Sequence, residues 1–358
     1  MVGWYDRICR ALDTCGYENR TWSCEHGRLL LTSHGARLLA CEMPGVGGNL
    51  FWHNIAIESA DTAHQPMQTA WGELGGDRLG IAPEVGHMWS DFDQARHDPF
   101  AAYVVPPEMD PADYHIVEEG SGHLRLNSKI KLSDHRDGKR IGLDVDRRFD
   151  LALPPPDLPA SVKCVSFTIR NSLAILEADD GAVAGAWNLL QVPPTGTLIC
   201  PTFGPAQMPT CYFDPFGDRH VRCAGHAVYF LIDSSRVMKM AISPLQTTGR
   251  MGFYRPLNGI STLIVRIISV FPGEPYVDMP RSRDRDERFA GDALQAFNYD
   301  RLPPDGFGEM EHHEPAVVAG RSPSSKSHAS ITHVLAGPDD DVRKFGRQLL
   351  GVDVVMID

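Results

Sequence analysis

Two short segments of this chain put ionisable side chains on one face with small residues between them. The first is Gly75-Gly76-Asp77-Arg78-Leu79-Gly80-Ile81-Ala82-Pro83-Glu84. Alternate residues of an extended chain share a face, so Gly76, Arg78, Gly80, Ala82 and Glu84 line one side. A guanidinium and a carboxylate over a clear floor can grip a polar ligand, and Asp77 beside them is a further binding candidate. His87 and Trp89 follow at once in Glu84-Val85-Gly86-His87-Met88-Trp89. An indole next to polar groups serves either as a platform for a pyranose face or as a plug in a core, and Trp52, Trp71 and Trp187 carry the same two readings. An exposed ion pair at a strand end fits the Arg78/Glu84 pattern as well.

The second segment is Gly308-Glu309-Met310-Glu311-His312-His313-Glu314-Pro315-Ala316. As a strand it sets Glu309, Glu311 and His313 on one face and Met310, His312 and Glu314 on the other. Two adjacent carboxylates repel, so one holds its proton more tightly, which yields an acid or base usable near neutral pH. An imidazole on the same face could supply the complementary proton. Two other readings share this pattern: an edge strand charged for solubility, and His and Glu sharing a cation, although no third ligand group is identifiable from spacing.

The elements that must hold these residues are mostly strands. Leu124 to Leu132 alternates apolar and polar residues, as a sheet with one wet face requires. Arg28 to Leu39, Val162 to Arg170, Ala227 to Ile232 and Ser261 to Val270 read similarly, the last two apolar on both faces in places, as where sheets stack. With 33 Gly and 27 Pro the intervening segments are rich in turns. The spacing predicts a helix over 339–350, with three aspartates at its start and Gly351 past its end, and a short helix around Trp4, Ile8 and Leu12. Leu153 to Pro159 is proline-rich and reads as a stiff crossover between sheets; Gly320 to Ser330 reads as an exposed loop. No internal repeat or clean linker divides the chain. One all-β domain over 1–358 is expected, its core spanning about 25–350, as a large antiparallel sandwich with a few short peripheral helices.

Composition narrows the functional classes. The 358 residues are 42% hydrophobic and 22% charged, with a net charge of −12. No basic stripe exists to displace counterions, which argues against a nucleic-acid partner. The run Arg281 to Arg288 alternates in sign and reads as a solvated loop. No apolar run reaches the roughly 18 residues of a bilayer span, and Met1 to Tyr17 is broken by Asp6, Arg7, Arg10 and Asp13, so a cytoplasmic protein without a membrane partner is expected. Eight scattered cysteines with no C-x-x-C pair read as reduced thiols. A phosphate loop, dinucleotide fingerprint, nucleophile elbow and His-Glu-x-x-His are all absent.

The order of motifs resembles the aldose 1-epimerase (galactose mutarotase-like) superfamily over roughly residues 25 to 350. It is carried by Gly35-Ala36-Arg37-Leu38-Leu39, Gly48-Asn49-Leu50-Phe51-Trp52-His53-Asn54, the Gly75 to Arg78 segment and the Ala82-Pro83-Glu84 ending. Ala186-Trp187-Asn188-Leu189-Leu190-Gln191-Val192 followed by Pro201, and Gly308 to Glu311, complete the set. The resemblance is to an uncharacterised branch. It implies a β-supersandwich whose concave face binds a small carbohydrate, with Arg78 matching the sugar-binding arginine and Glu309 or Glu311 the basic glutamate. The Asn-His-x-Tyr-Phe-Asn-Leu motif that supplies the acid histidine in the epimerases is missing, and its nearest counterpart, Thr168-Ile169-Arg170-Asn171-Ser172, has no histidine. His87 and His313 are the available substitutes.

These readings converge on a sugar-handling protein whose leading activity is cofactor-free and metal-free acid–base epimerisation of a sugar. Glu309, Glu311, His313 and His87 are the expected proton carriers; Arg78, Glu84, Asp77 and Trp89 are the expected sugar contacts. A glycoside lyase or hydrolase acting on a modified sugar, and a non-catalytic sugar-binding protein, are the alternatives, since one fold hosts many functions.

Overall fold

The computed structural model describes residues 3–67, 73–91, 102–278, 289–300 and 306–358. Trp71 and the charged run Arg281 to Arg288 lie outside the described residues.

Period-two patterning sets the architecture. In the strand His123–Ser133, Leu124, Leu126, Ile130 and Leu132 are buried while Arg125, Lys129 and Lys131 face water. Strands of this kind build two ten-stranded antiparallel sheets among the described residues. In hydrogen-bonded order the first runs Asn19–Cys24, Gly27–Thr32, Arg37–Glu42, Asp77–Ala82, Val183–Val192, Phe307–His313, Leu294–Tyr299, Met238–Ile242 and Thr210–Cys211, with Val317–Val318 also paired to Val183–Val192. The second runs Val221–Ala224, Ala227–Ile232, Gly196–Pro201, Arg250–Leu257, Ile260–Ile268, Ser325–Gly337, Lys163–Ala178, Arg140–Leu151, His123–Ser133 and His115–Gly120.

The apolar faces of the two sheets meet in one core that includes Leu79, Ile81, Leu190 and Met310 from the first sheet and Val145, Phe149, Phe167 and Ile264 from the second. The helix Asp339–Leu350 lays Val342, Phe345 and Leu350 on Leu263, Val265 and Leu335 of the second sheet. The helix Trp4–Thr14 covers Leu30, Leu39 and Ala40 at one end of the first sheet with Tyr5, Ile8 and Leu12. The central strands of that sheet keep their outer face for other uses. Among the described residues no helix is long and apolar enough to cross a membrane. All eight cysteines lie among the described residues, and Cys41, Cys164 and Cys200 are buried.

Two expectations about connections fail. Leu153 to Pro159 joins Arg140–Leu151 to Lys163–Ala178, which are neighbours in one sheet, so the prolines stiffen a same-sheet link. The serine-rich stretch is an exposed loop only up to Ser324; from Ser325 it pairs with Lys163–Ala178 as a strand.

One ionic group sits between the sheets. Asp77 accepts hydrogen bonds from Arg147 through Oδ1 and from Arg266 through Oδ2, and all three side chains are 0% exposed. Arg266 Nε also donates to Thr332 Oγ1 at 3.0 Å. Removing one partner of such a buried group leaves charge unpaired in a medium that solvates it poorly. Asp77→Ala, which strands two guanidinium groups, should therefore cost about 3–5 kcal/mol, read as a large fall in the chemical-unfolding midpoint; an unchanged midpoint would show that the triad does not tie the sheets.

Candidate functional site

Strand alternation sends the residue after Asp77 the other way. Arg78 leaves the outer face of the first sheet, where register builds two rows across four strands. Lys239, Phe297, Glu309 and Gln191 lie opposite one another in the first row. Gln295, Glu311, Leu189 and Arg78 form the second. Next to them His313 pairs with Trp187 and Trp187 with Gly80. A Cβ on Gly80 would lie 2.9 Å from Trp187 Cε3, so the missing side chain admits the indole. The clear floor expected for a ligand is thus partly filled by Trp187. Gly76, at φ +72°, brings its strand so close to Leu38 that a Cβ would lie 2.4 Å from the Leu38 carbonyl oxygen.

Five acidic or basic side chains line the resulting cleft: Glu73, Arg78, Glu84, Lys239 and Glu309. Five aromatic rings wall it: Trp89, Tyr103, Trp187, Phe213 and Phe297. Trp89 faces Tyr103 across an isolated antiparallel bridge. The side chains close on one another and leave about 20 Å³, room for a water rather than a sugar, so a ligand must displace groups at the aromatic rim.

The charges are tightly linked. Arg78 lies 3.6 Å from Glu309 Oε1 and 3.5 Å from Asp110 Oδ2, and its Nε is buried without a hydrogen-bond partner. Gln191 Nε2 donates to Glu73 and, at 3.2 Å, to Glu309 Oε1. Lys239 Nζ reaches Glu84 Oε2 at 3.2 Å and Glu311 Oε2 at 3.0 Å, and stands 4.6 Å from the Trp187 ring centroid. Trp187 Nε1 donates to the same Glu311 oxygen at 2.7 Å. Glu84 itself belongs to a helical turn, Glu84–His87, and its backbone N–H donates to Asp278 Oδ1 at 2.9 Å.

Burial sets the protonation states. It pushes the Glu309 carboxyl up to about 8; Arg78 opposes the rise, and Glu311 and Glu73 add to it. It pushes Glu84 up to about 7 against the pull of Lys239. Burial raises Glu311 as well, with Lys239 resisting. For Lys239 burial favours the neutral amine, but Glu311, Glu84 and Asp278 overcome it and hold the ammonium. Arg78 is kept charged in the same way by Glu73, Glu309 and Asp110.

Of the residues singled out in the sequence, Arg78, Glu84, Trp89 and Glu309 meet in this cleft, and four others stand elsewhere. Asp77, expected at a ligand, faces the opposite side and is consumed by Arg147 and Arg266, because a strand cannot send consecutive side chains the same way. His87, expected as an acid, is buried with Nδ1 3.2 Å from the Ser133 carbonyl and shares no wall with the cleft. His313 stacks behind Trp187, with ring centroids 5.6 Å apart and Nε2 3.5 Å from Asp278, and burial takes it down to about 4. Glu311 lies beneath the floor, 0% exposed, holding Lys239 and Trp187 in place. The Thr168 to Ser172 counterpart belongs to the second sheet, where Asn171 Nδ2 donates to Glu314 between the layers. Among the described residues no group of three or more His, Cys, Asp or Glu side chains is placed to hold a metal ion.

Sequence reasoning did not single out Glu73, Tyr103, Phe213, Phe297 or Lys239, and it quoted Gln191 only as part of a motif. Lys239 alone left a trace: one cation inside the apolar run Val237 to Ile242.

Solved structures resemble the chain in fold. A galactose mutarotase-like protein from Lactobacillus casei ATCC 334 superposes with a TM-score of 0.52 at 8% identity, covering 88% of this chain and 100% of that one. A galactose 1-epimerase from Lactobacillus acidophilus NCFM matches at a TM-score of 0.45 and 7% identity, covering 90% and 95%. A search of curated proteins gives no match. The fold is the galactose mutarotase-like one, and at these identities the likeness speaks for the fold alone. The model of the family of unknown function DUF6786 matches residues 29–358, nearly the whole length, and the chain belongs to that family.

Proposed function

We propose that the cleft binds a free sugar and catalyses acid–base isomerisation at its anomeric carbon, with two carboxyl groups in place of a carboxylate and an imidazole. The observation that carries this reading is the pairing of Glu309 and Glu84 in one cleft, both raised toward neutrality and held by different cations. Two carboxyls whose surroundings set them apart divide the roles of acid and base.

Near neutral pH Glu84, beside the Lys239 ammonium, carries the negative charge, and Glu309 keeps its proton. In the proposed cycle Glu84 takes the proton of the anomeric hydroxyl while Glu309 gives its proton to the ring oxygen. The C1–O5 bond breaks, and the open-chain aldehyde rotates about C1–C2. The O5 hydroxyl then attacks the other face of the carbonyl, returning its proton to Glu309 while Glu84 reprotonates O1. Protons and electrons balance over the cycle, and no cofactor enters it. Arg78, with a buried Nε–H still unpartnered, is suited to a sugar oxygen, and the indoles of Trp89 and Trp187 are suited to the apolar face of the ring. Both histidines being elsewhere supports assigning the acid role to Glu309.

Polarimetry on a panel of free aldoses tests the reading; folded protein at high concentration that accelerates none of them overturns it. Given a responsive sugar, the rate should fall below about pH 7 as Glu84 gains a proton and above about pH 8 as Glu309 loses one, giving a narrow bell. Glu309→Gln should lower kcat by roughly 10²- to 10⁴-fold while sugar still binds. Lys239→Met should shift the acid limb upward, because Glu84 then lacks the cation that keeps it ionised. An acid limb that stays in place in Lys239→Met would remove Glu84 from the base role.

A further inference from the structure

We propose that a second, open groove at the loop end of the sandwich binds the anionic group of a small organic molecule, a phosphate monoester or a carboxylate, through Arg255 against Trp52. The groove has a volume of about 620 Å³, within the range of small-ligand sites. Loops from both sheets form it: Gly47 to Asn49, Phe51 to Ile55, Pro193 to Thr195, Asp233 and Gly306.

Arg255 is what marks it. It stands in the strand Arg250–Leu257 opposite Thr262, half-buried, with its Nε closed off from solvent and without a hydrogen-bond partner. Burial lowers its pKa, and among the described residues no carboxylate raises it again, Asp233 of the same groove included. Other buried arginines are treated differently. Arg37 lies 2.7 Å from Asp110, Arg136 lies 2.6 Å from Asp134, and Arg147 and Arg266 share Asp77. A partly desolvated cation without a close counter-charge is held at a cost, and a bound anion reduces that cost.

Asp233 and His53, which also line the groove, are already engaged. Asp233 accepts from Arg219 at 2.6 Å and from Ser235 Oγ at 2.7 Å. His53 is taken at 3.0 Å by Glu58 and at 3.2 Å by Asn49. Arg255 shares the groove with an apolar wall, Trp52, which is tilted on Phe307 with centroids 4.8 Å apart. Phe307 packs in turn on Phe297, at 6.4 Å, and Phe297 walls the sugar cleft. The groove and the cleft are therefore two spaces on either side of an aromatic partition, and the anion site stands whether or not the cleft isomerises a sugar.

Isothermal titration of the full chain at low ionic strength, where exposed cations are least screened, tests the site with inorganic phosphate, glucose 6-phosphate, glucuronate and, as a neutral control, glucose. Saturable binding of one or more of the anions, one per chain and with quenching of tryptophan fluorescence, is the expected result. Phosphate and glucose 6-phosphate without glucuronate would identify a phosphate site; all three would identify a general anion site. Arg255→Gln should weaken binding about tenfold or more, and Arg255→Lys should keep part of it, which separates loss of charge from loss of fold. The proposal is overturned if no anion saturates, if Arg255→Gln binds as well as the unaltered protein, or if binding is lost in Arg78→Gln and kept in Arg255→Gln, since the anion would then occupy the cleft.

Discussion

A charge shut between two β-sheets must find its counter-charge there, and that requirement organises this molecule. Asp77 is the only acidic residue of its strand, and Arg147 and Arg266 reach it from two separate strands of the facing sheet. A shift of that strand by one residue would turn every side chain over. Asp77 would then face the cleft, Arg78 would join two guanidinium groups between the sheets, and the apolar Leu79 and Ile81 would leave the core. The electrostatic penalty and the hydrophobic one point the same way, so register is fixed twice. Arg78 reaches the cleft because Asp77 is held behind it.

On the outer face the balance of charge is different. Glu73, Glu84, Glu309 and Glu311 stand against Arg78 and Lys239, all of them buried. At 3.0 Å the attraction between Lys239 and Glu311 is on the order of 5 kcal/mol at an effective dielectric of about 20, while taking each ion out of water costs several kcal/mol. These nearly cancel, so the network adds little net stability. What it does instead is divide protons. With fewer cations than carboxyls, an acid that lacks a close ammonium keeps its proton into the neutral range. Glu309, with Arg78 at 3.6 Å, is the one pushed furthest among those with a value near neutrality, and Glu84, tied to Lys239, is pushed less.

How much of this was legible in the sequence depends on whether the signal was local. The strands His123–Ser133 and Ala227–Ile232 and the helix Asp339–Leu350 announce themselves by period and caps. So does the shared face of Glu309 and Glu311, because alternation is a property of one segment. The separation of their roles was not legible. Glu311 is held by Trp187 and Lys239, which come from strands more than fifty residues away in sequence. Glu84 was placed on the correct side for the wrong reason: the strand ends at Ala82, and a helical turn, not alternation, delivers the carboxyl. His87 and His313 looked like proton donors because a histidine near an acid is chemically suggestive, and only packing shows one against the Ser133 carbonyl and the other behind an indole.

Arg78 in the closed cleft and Arg255 in the open groove show what burial asks of a cation in this fold. Arg78 has carboxyls on two sides, and its free Nε–H is a small residue of unmet hydrogen bonding, satisfied by one neutral oxygen. Arg255 has the free Nε–H, and among the described residues no carboxylate lifts its lowered pKa, so its unmet need is charge as well as a hydrogen bond. A neutral polyol answers the first and leaves the second unanswered. An anion answers the second, but in the first it would enter a space already holding Glu73, Glu84 and Glu309. The same side chain, set in two electrostatic surroundings, thus presents two different unmet demands, and the two proposed partners differ accordingly.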